Sequence, residues 1–262
     1  MHKIKIYSYI IMIKINIILL LLFIYSNCVS SFNIVLNIGS TGLLLPYSIG
    51  IISYIKTNKN FQNYELIGTS GGAYCSLLYH FEKNLTSHDY IWENIFKLNK
   101  NTKIDLHNLN LFQENNNKNL LNRYNKYDHN NVPIKIVATK YNNILNKEKI
   151  IFEKYDSIKD LITKCYCSSY IPYISGNNLY YLYNNIKYYD GAFIKDSEKN
   201  VKYVDNDIII NKLDSKKKLD INCNTWGRKW SLGSRGFIDI DKSRQLFEYG
   251  WKDTEKYLDK IF

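Results

Sequence analysis

The chain has 262 residues, 45% of them hydrophobic, a formal net charge of +11 and a pI near 9.2. That length suits one α/β domain and leaves little for a second, and the apolar content excludes a disordered chain. The positive charge fits either a solvated Lys-rich surface or attraction to an anionic lipid surface; nucleic acid is disfavoured, because no zinc-finger spacing, RNA-binding aromatic motif or basic heptad helix is present.

In chain order, residues 1–14 carry Lys3, Lys5 and Lys14 and no acid. An apolar run over 15–25 follows, broken only by Asn16, and then Ser26, Asn27, Cys28, Val29, Ser30 and Ser31. Basic, apolar and then small is the order of a secretory signal peptide. Residues 1–28 are therefore expected to be a cleaved signal, with Ser26 and Cys28 as the small residues of the cleavage site. The alternative is an uncleaved membrane anchor, but 10–24 is short for a span and Lys14 interrupts it. The expected location is outside the cell or in the secretory-pathway lumen, or membrane-anchored in the alternative. Cleavage removes three Lys and no acid, so +11 becomes +8. One domain is expected over 32–262. Cys75, Cys165, Cys167 and Cys223 are too sparse for a disulfide scaffold and are expected as buried or free thiols. Asn84-Leu85-Thr86 is a glycosylation sequon, usable only in the secretory pathway.

Residues 32–38 predict a buried strand, Gly39-Ser40-Thr41-Gly42 a turn, and 43–55 an apolar helix with Pro46 in its first turn. Residues 64–67 predict a second strand, 68–72 a sharp turn and 73–81 another helix. Strand, helix, strand, helix implies parallel pairing with crossovers. Further on, 88–98 predicts a helix. The Asn-rich stretch 99–131 reads as a mobile insertion with one helix near 118–127. Strands are predicted at 132–139, 148–153, within 180–189, at 201–203 and at 207–210. Helices are predicted at 157–165, with Ser157 as cap, and at 241–261. An aromatic and basic loop occupies 224–236 and contains Trp226-Gly227-Arg228-Lys229-Trp230.

The chemistry centres on Gly68-x-Ser70-x-Gly72, the nucleophile-elbow pattern. The Ser must sit on a tight, strained turn, and residues two before and two after must lack bulk, or strand and helix collide. Here the pattern follows an apolar strand and opens an apolar helix, which is the context required. The helix N-terminus favours negative charge at the site, and the Gly71 N–H becomes an oxyanion donor. A nucleophilic Ser needs a base. No His follows His129; His80 and His88 read as surface residues, and His107 and His129 as solvated ones. A Ser–His–Asp arrangement with Asp105 or Asp89 stays open. The other candidate base is Asp190, at the end of an aromatic strand and followed by Gly191 and Ala192.

Several ordered blocks over residues 33–193 resemble the patatin-like phospholipase family. They are the strand, turn and helix over 33–50 with Tyr47-x-x-Gly50; Gly68-Thr69-Ser70-Gly71-Gly72; the strand 132–139; Ser168-Ser169-Tyr170-Ile171-Pro172; and Asp190-Gly191-Ala192. Tyr249-Gly250-Trp251-Lys252-Asp253 is similar to a late helix of that family. The resemblance implies a three-layer α/β/α fold around a mostly parallel sheet. It implies hydrolysis of lipid esters by a Ser70–Asp190 dyad through an acyl-enzyme, with no metal and no organic cofactor. It also implies an oxyanion hole of backbone N–H groups among Gly39, Ser40, Thr41, Gly42 and Gly71. The family's turn is a run of Gly followed by a basic residue; here only Gly39 and Gly42 remain and no basic residue is present. The expected partner is a lipid substrate at an anionic interface, with no nucleic acid and no obligate protein partner. Two alternatives stand beside it: a non-catalytic, secreted lipid-binding protein on the same fold, and a Ser–His–Asp hydrolase.

Overall fold

The computed structural model describes residues 34–59, 61, 63–142, 147–193, 208–210, 220–221 and 237–258. The expected signal segment 1–28, the expected strand at 201–203, the expected loop 224–236 and Cys223 lie outside the described residues.

The first units follow the expected order. β1 (Ile34–Ile38) leads into a 3-10 turn (Gly42–Leu44) and α1 (Leu45–Asn58), and β2 (Tyr64–Thr69) leads into α2 (Gly71–Phe81). Pro46 lies in the first turn of α1, where its missing N–H has no helical partner to lose. A short segment is α-helical over His88–Tyr90 and π-helical over Ile91–Ile95, and α3 (Leu109–Tyr124) follows. Next come β3 (Ile134–Tyr141), β4 (Lys147–Phe152) and α4 (Ile158–Ser169), whose cap Ser157 accepts the Asp160 N–H as the sequence implied. β5 (Tyr181–Tyr183) and β6 (Ile186–Tyr189) form a hairpin whose turn residues, Asn184 and Asn185, both have positive φ. That is the turn chemistry a two-residue hairpin loop favours. β7 (Ile208–Ile210), β8 (Asp220–Ile221) and α5 (Ile240–Leu258) complete the chain.

The strands form one sheet in the order β5-β6-β3-β2-β1-β7-β8, with β4 also paired to β3. Pairings β1–β2, β2–β3, β1–β7 and β7–β8 are parallel; β3–β4, β3–β6 and β5–β6 are antiparallel. The architecture is mixed α/β with a mostly parallel central sheet, consistent with a three-layer α/β/α arrangement. Alternation along the strands sends Leu36, Ile38, Leu66, Ile134 and Ile136 into the core. On the opposite face Lys135 forms ion pairs with Glu65 at 3.1 Å and Glu153 at 3.2 Å.

α1 is buried almost throughout and packs against α5. Their axes meet where each helix lacks a side chain. A Cβ on Gly50 would fall 2.1 Å from the Phe247 carbonyl oxygen, and one on Gly250 would fall 2.0 Å from that of Tyr47. Both glycines are thus required by close backbone approach, which explains why Gly50 and Gly250 stand out in the sequence. Tyr47 also donates its hydroxyl to Asp253 at 2.9 Å, tying the same pair of helices.

The stretch 99–131 departs from expectation. α3 starts nine residues before the predicted helix and is packed against α4, not carried on a mobile insertion. Its buried face is Gln113, Asn116, Leu120 and Tyr124, at helical spacing. Two of the four are amides, so the apolar periodicity that signals a core-facing helix is broken in the sequence. Cys75, Cys165 and Cys167 are free, buried thiols, as expected. Asn84 and Thr86 of the sequon are exposed.

Candidate active site

Ser70 follows β2 directly, at φ 57° and ψ −126°. A positive φ is rare for a residue with a side chain and stores strain. The two flanking glycines allow it. A Cβ on Gly68 would lie 2.6 Å from the Ala73 Cα, and one on Gly72 would lie 2.1 Å from the Ile38 carbonyl oxygen. Ser70 therefore stands on a tight strand-to-helix turn between two residues that leave no room for a side chain.

Ser70 is held from behind by Ser168 on α4. The Ser168 Oγ accepts the Ser70 N–H at 2.8 Å and donates to the Val137 carbonyl at 2.5 Å. Ser168 is fully buried, and among the described residues its Oγ is the acceptor of that N–H. Ser169, its neighbour, is tied to Gln113 of α3 through both its carbonyl and its hydroxyl. The sequence marked Ser168 only as part of a resembling segment; its role in fixing the elbow joins positions 98 residues apart. We expect Ser168→Ala to leave the Ser70 N–H and the Val137 carbonyl without this partner and to cost about 1–3 kcal/mol of stability, measured by urea unfolding. A loss below about 0.3 kcal/mol would show that the bridge is dispensable.

Sheet register explains how Asp190 reaches Ser70. β3 has β4 along one edge, with Val137 opposite Ile151 and Thr139 opposite Lys149. On its other edge β2 runs parallel as far as Thr69 opposite Val137, and β6 runs antiparallel as far as Tyr189 opposite Thr139. β2 and β6 therefore approach one another along a single edge and stop two positions apart. The residues that follow, Ser70 and Asp190, meet in the gap. Gly191 has no bulk to obstruct this junction: a Cβ there would fall 2.4 Å from the Val137 carbonyl oxygen.

The Ser70 Oγ donates to the Asp190 Oδ2 at 2.5 Å, and the Ala192 N–H donates to the other carboxylate oxygen at 2.8 Å. The Asp190 main chain is fixed as well. Its N–H donates to the Tyr170 carbonyl at 2.8 Å, and its carbonyl accepts the Thr139 hydroxyl at 3.0 Å. Ser70 and Asp190 are 3% and 4% exposed. Burial pushes the Asp190 carboxyl from its ordinary value of 3.8 up to about 6, while the bonds from Ser70 and Ala192 pull the other way. A carboxylate poised near neutrality, 2.5 Å from a hydroxyl, is placed to take that proton.

The other sequence-predicted site residues surround this pair. Thr69 ends β2, and Gly71 opens α2, whose first N–H groups have no intrahelical acceptor. Gly39 and Ser40 are half-buried just past β1, and Thr41 is buried. Gly42, at φ +50°, is exposed, and the space beyond its Cα is open. The Gly39–Gly42 turn and the head of α2 are in contact, because Thr41 lies against Gly71 and Gly72 against the Gly39 carbonyl.

Among the described residues, no imidazole hydrogen-bonds Ser70 or Asp190. His80 is half-buried and pairs with the Tyr64 hydroxyl at 3.0 Å. His88 is buried, contrary to its expected surface position. Its ring bonds Ser243 at 2.8 Å and Asp89 at 3.0 Å, and stacks on Trp92. Ser243 lies on α5, 155 positions away, a partner that local sequence does not reveal. This Ser–His–Asp chain has Ser243 at 1% exposure on a helix, away from any elbow. Asp105 accepts the N–H groups of His107 and Asn108 in a turn. Among the described residues no cluster of three or more His, Cys, Asp or Glu is placed to hold a metal ion.

No family model matches the chain, and no curated protein matches it. Among solved structures, the chain is similar to a chain of the heterodimeric ExoU-SpcU complex from the type III secretion system of Pseudomonas aeruginosa. The TM-score is 0.39 at 10% identity, with 87% of this chain covered and 52% of that one, so this chain spans about half the length of its neighbour.

Proposed function

We propose that the chain is a lipid acyl hydrolase of the patatin-like type, in which Ser70 is the nucleophile and Asp190 the base. The observation that carries this reading is the 2.5 Å bond from a strained, positive-φ serine to a buried carboxylate, with no imidazole between them. Asp190 takes the Ser70 proton as Oγ adds to the acyl carbon, and returns it to the departing alcohol. Water then attacks the acyl-enzyme, with Asp190 again as base and Ser70 as leaving group. In this reading the Gly71 N–H is one donor to the developing oxyanion, and the adjoining Gly39–Gly42 turn supplies the other. The mechanism calls on neither metal nor organic cofactor.

The preference for lipid rests on the resemblance of the site blocks, the net positive charge and the N-terminal pattern. In this reading residues 1–28 are a signal peptide, 32–262 is the hydrolase domain, and the protein works in or beyond the secretory pathway at an anionic interface. The test is fatty-acid release from phospholipid vesicles by chain lacking residues 1–28. Release should depend on Ser70, be higher on anionic than on zwitterionic vesicles at low salt, and fall as salt screens the +8 charge. Binding without release would make the protein a non-catalytic lipid binder on the same fold.

A further inference from the structure

The Gly39–Gly42 turn carries side chains at two positions, Ser40 and Thr41. The buried one of the two has no structural employment. Thr41 is 6% exposed, and its hydroxyl has no hydrogen-bond partner among the described residues. Leaving a buried hydroxyl unpaired costs about 1–3 kcal/mol, so such a group calls for a reason. Local capping does not supply one. Thr41 heads the 3-10 turn Gly42–Leu44, but only its carbonyl is used there, accepting the Leu44 N–H at 2.9 Å.

Its position supplies one. A Cβ on Gly71 would fall 2.0 Å from the Thr41 Oγ1 and 3.3 Å from the Thr41 Cβ. The hydroxyl thus sits directly over the residue that follows the nucleophile and whose N–H is the first amide of α2. The Leu45 side chain packs at the same point, 3.6 Å from that Cβ position, and a β-branched residue has few χ1 states to choose from. The hydroxyl is therefore held against Gly71, with no hydrogen-bond partner among the described residues.

We propose that the Thr41 side-chain hydroxyl is an oxyanion donor, acting with the Gly71 N–H. The assignment rests on the hydrolase reading above. As Ser70 Oγ bonds to the acyl carbon and its proton passes to Asp190, the carbonyl π pair moves onto oxygen. Thr41 Oγ1–H and Gly71 N–H donate to that oxygen. When the pair returns, the C–O bond to the alcohol breaks and the alcohol takes the proton from Asp190. The hydroxyl pays its desolvation in the resting protein and is satisfied only when negative charge develops, which is the differential binding that lowers a barrier. Gly71 follows from the same geometry, because any side chain there would displace the hydroxyl.

The experiment compares Thr41→Val, which keeps the shape, with Thr41→Ser, which keeps the hydroxyl, by steady-state turnover of a short-chain nitrophenyl ester and by thermal unfolding. Thr41→Val should lower kcat by about 100-fold with KM within about three-fold of the parent, and Thr41→Ser should retain kcat within about five-fold. Thr41→Val should also melt no lower than the parent, since it removes an unpaired buried hydroxyl. Unchanged kcat in Thr41→Val, equal losses in Val and Ser, or a lowered melting temperature in Thr41→Val would each overturn the assignment. Parent protein without turnover, or turnover that survives Ser70→Ala, would instead overturn the hydrolase reading, and the Thr41 assignment with it.

Discussion

Asp190→Asn should damage catalysis and strengthen the fold at the same time. The amide fills the same space but cannot accept the Ser70 proton, so ester turnover should fall by about 100- to 10,000-fold. Ser70→Ala, which deletes the covalent path, should fall further, by on the order of a million-fold. Stability should move in the opposite direction. Below pH 3.8 the Asp190 carboxyl is neutral in both folded and unfolded chains. Between 3.8 and about 6 the folded protein holds a proton that the unfolded chain has released, so stability falls as pH rises through that window and then levels off. The difference between the two values corresponds to about 3 kcal/mol. Asp190→Asn escapes this penalty. Urea unfolding at pH 8 should therefore find it more stable than the parent by up to about 3 kcal/mol, with the gain vanishing toward pH 4. A variant that loses activity and also loses stability at pH 8 would mean that Asp190 holds the fold together and does not serve as a base. Activity of the parent should in turn rise through pH 6 and plateau above it.

The largest purely structural effect is expected at Glu82, which closes α2 at its C-terminal end. Its side chain is buried and accepts both Arg123 Nε and Arg123 Nη2 from α3, the latter at 2.8 Å, as well as the Tyr124 hydroxyl at 2.6 Å. Arg123 also donates to the Tyr90 hydroxyl at 2.5 Å. Burial, and then the Glu82 charge, push the Tyr124 phenol well above its ordinary value. Truncating Glu82 to Ala would leave a guanidinium and a buried phenol without their acceptor. Breaking a buried pair from one side costs about 3–5 kcal/mol; Arg123 is partly exposed, so the lower figure applies. A loss of about 3 kcal/mol should lower the melting temperature by about 6–12 °C. A change under about 0.5 kcal/mol would mean that water replaces Glu82 and that α2 and α3 are joined by apolar packing alone.

The first half of the site was open to sequence reading because its constraints are local. Gly68, Ser70 and Gly72 lie within five residues, and the apolar strand and helix on either side give them context. Asp190 was legible as a strand-end carboxylate beside Gly191, but its meeting with Ser70 depends on β2 and β6 sharing one edge of β3, which only the pairing register reveals. The features that escaped were made by distant partners. Ser168 reaches Ser70 across 98 positions, and His88 finds Ser243 across 155, so neighbouring residues in the sequence reveal neither the bridge nor the burial of His88. α3 was hidden differently. Its core face carries Gln113 and Asn116, and in a chain rich in Asn such residues look like loop. Gln113 bonds Ser169, the neighbour of the Ser168 that holds Ser70, so the polar break in periodicity belongs to the support of the candidate site.

The central claim is that Ser70 is activated by Asp190 and by nothing else. It is tested most directly by fluorophosphonate labelling at pH 8, read by intact and peptide mass spectrometry on the parent, Asp190→Asn and His88→Gln proteins. One adduct on the Ser70 peptide is expected in the parent and in His88→Gln, and none on the same timescale in Asp190→Asn. Labelling of Ser243, or full labelling of Ser70 in Asp190→Asn with loss in His88→Gln, would contradict it.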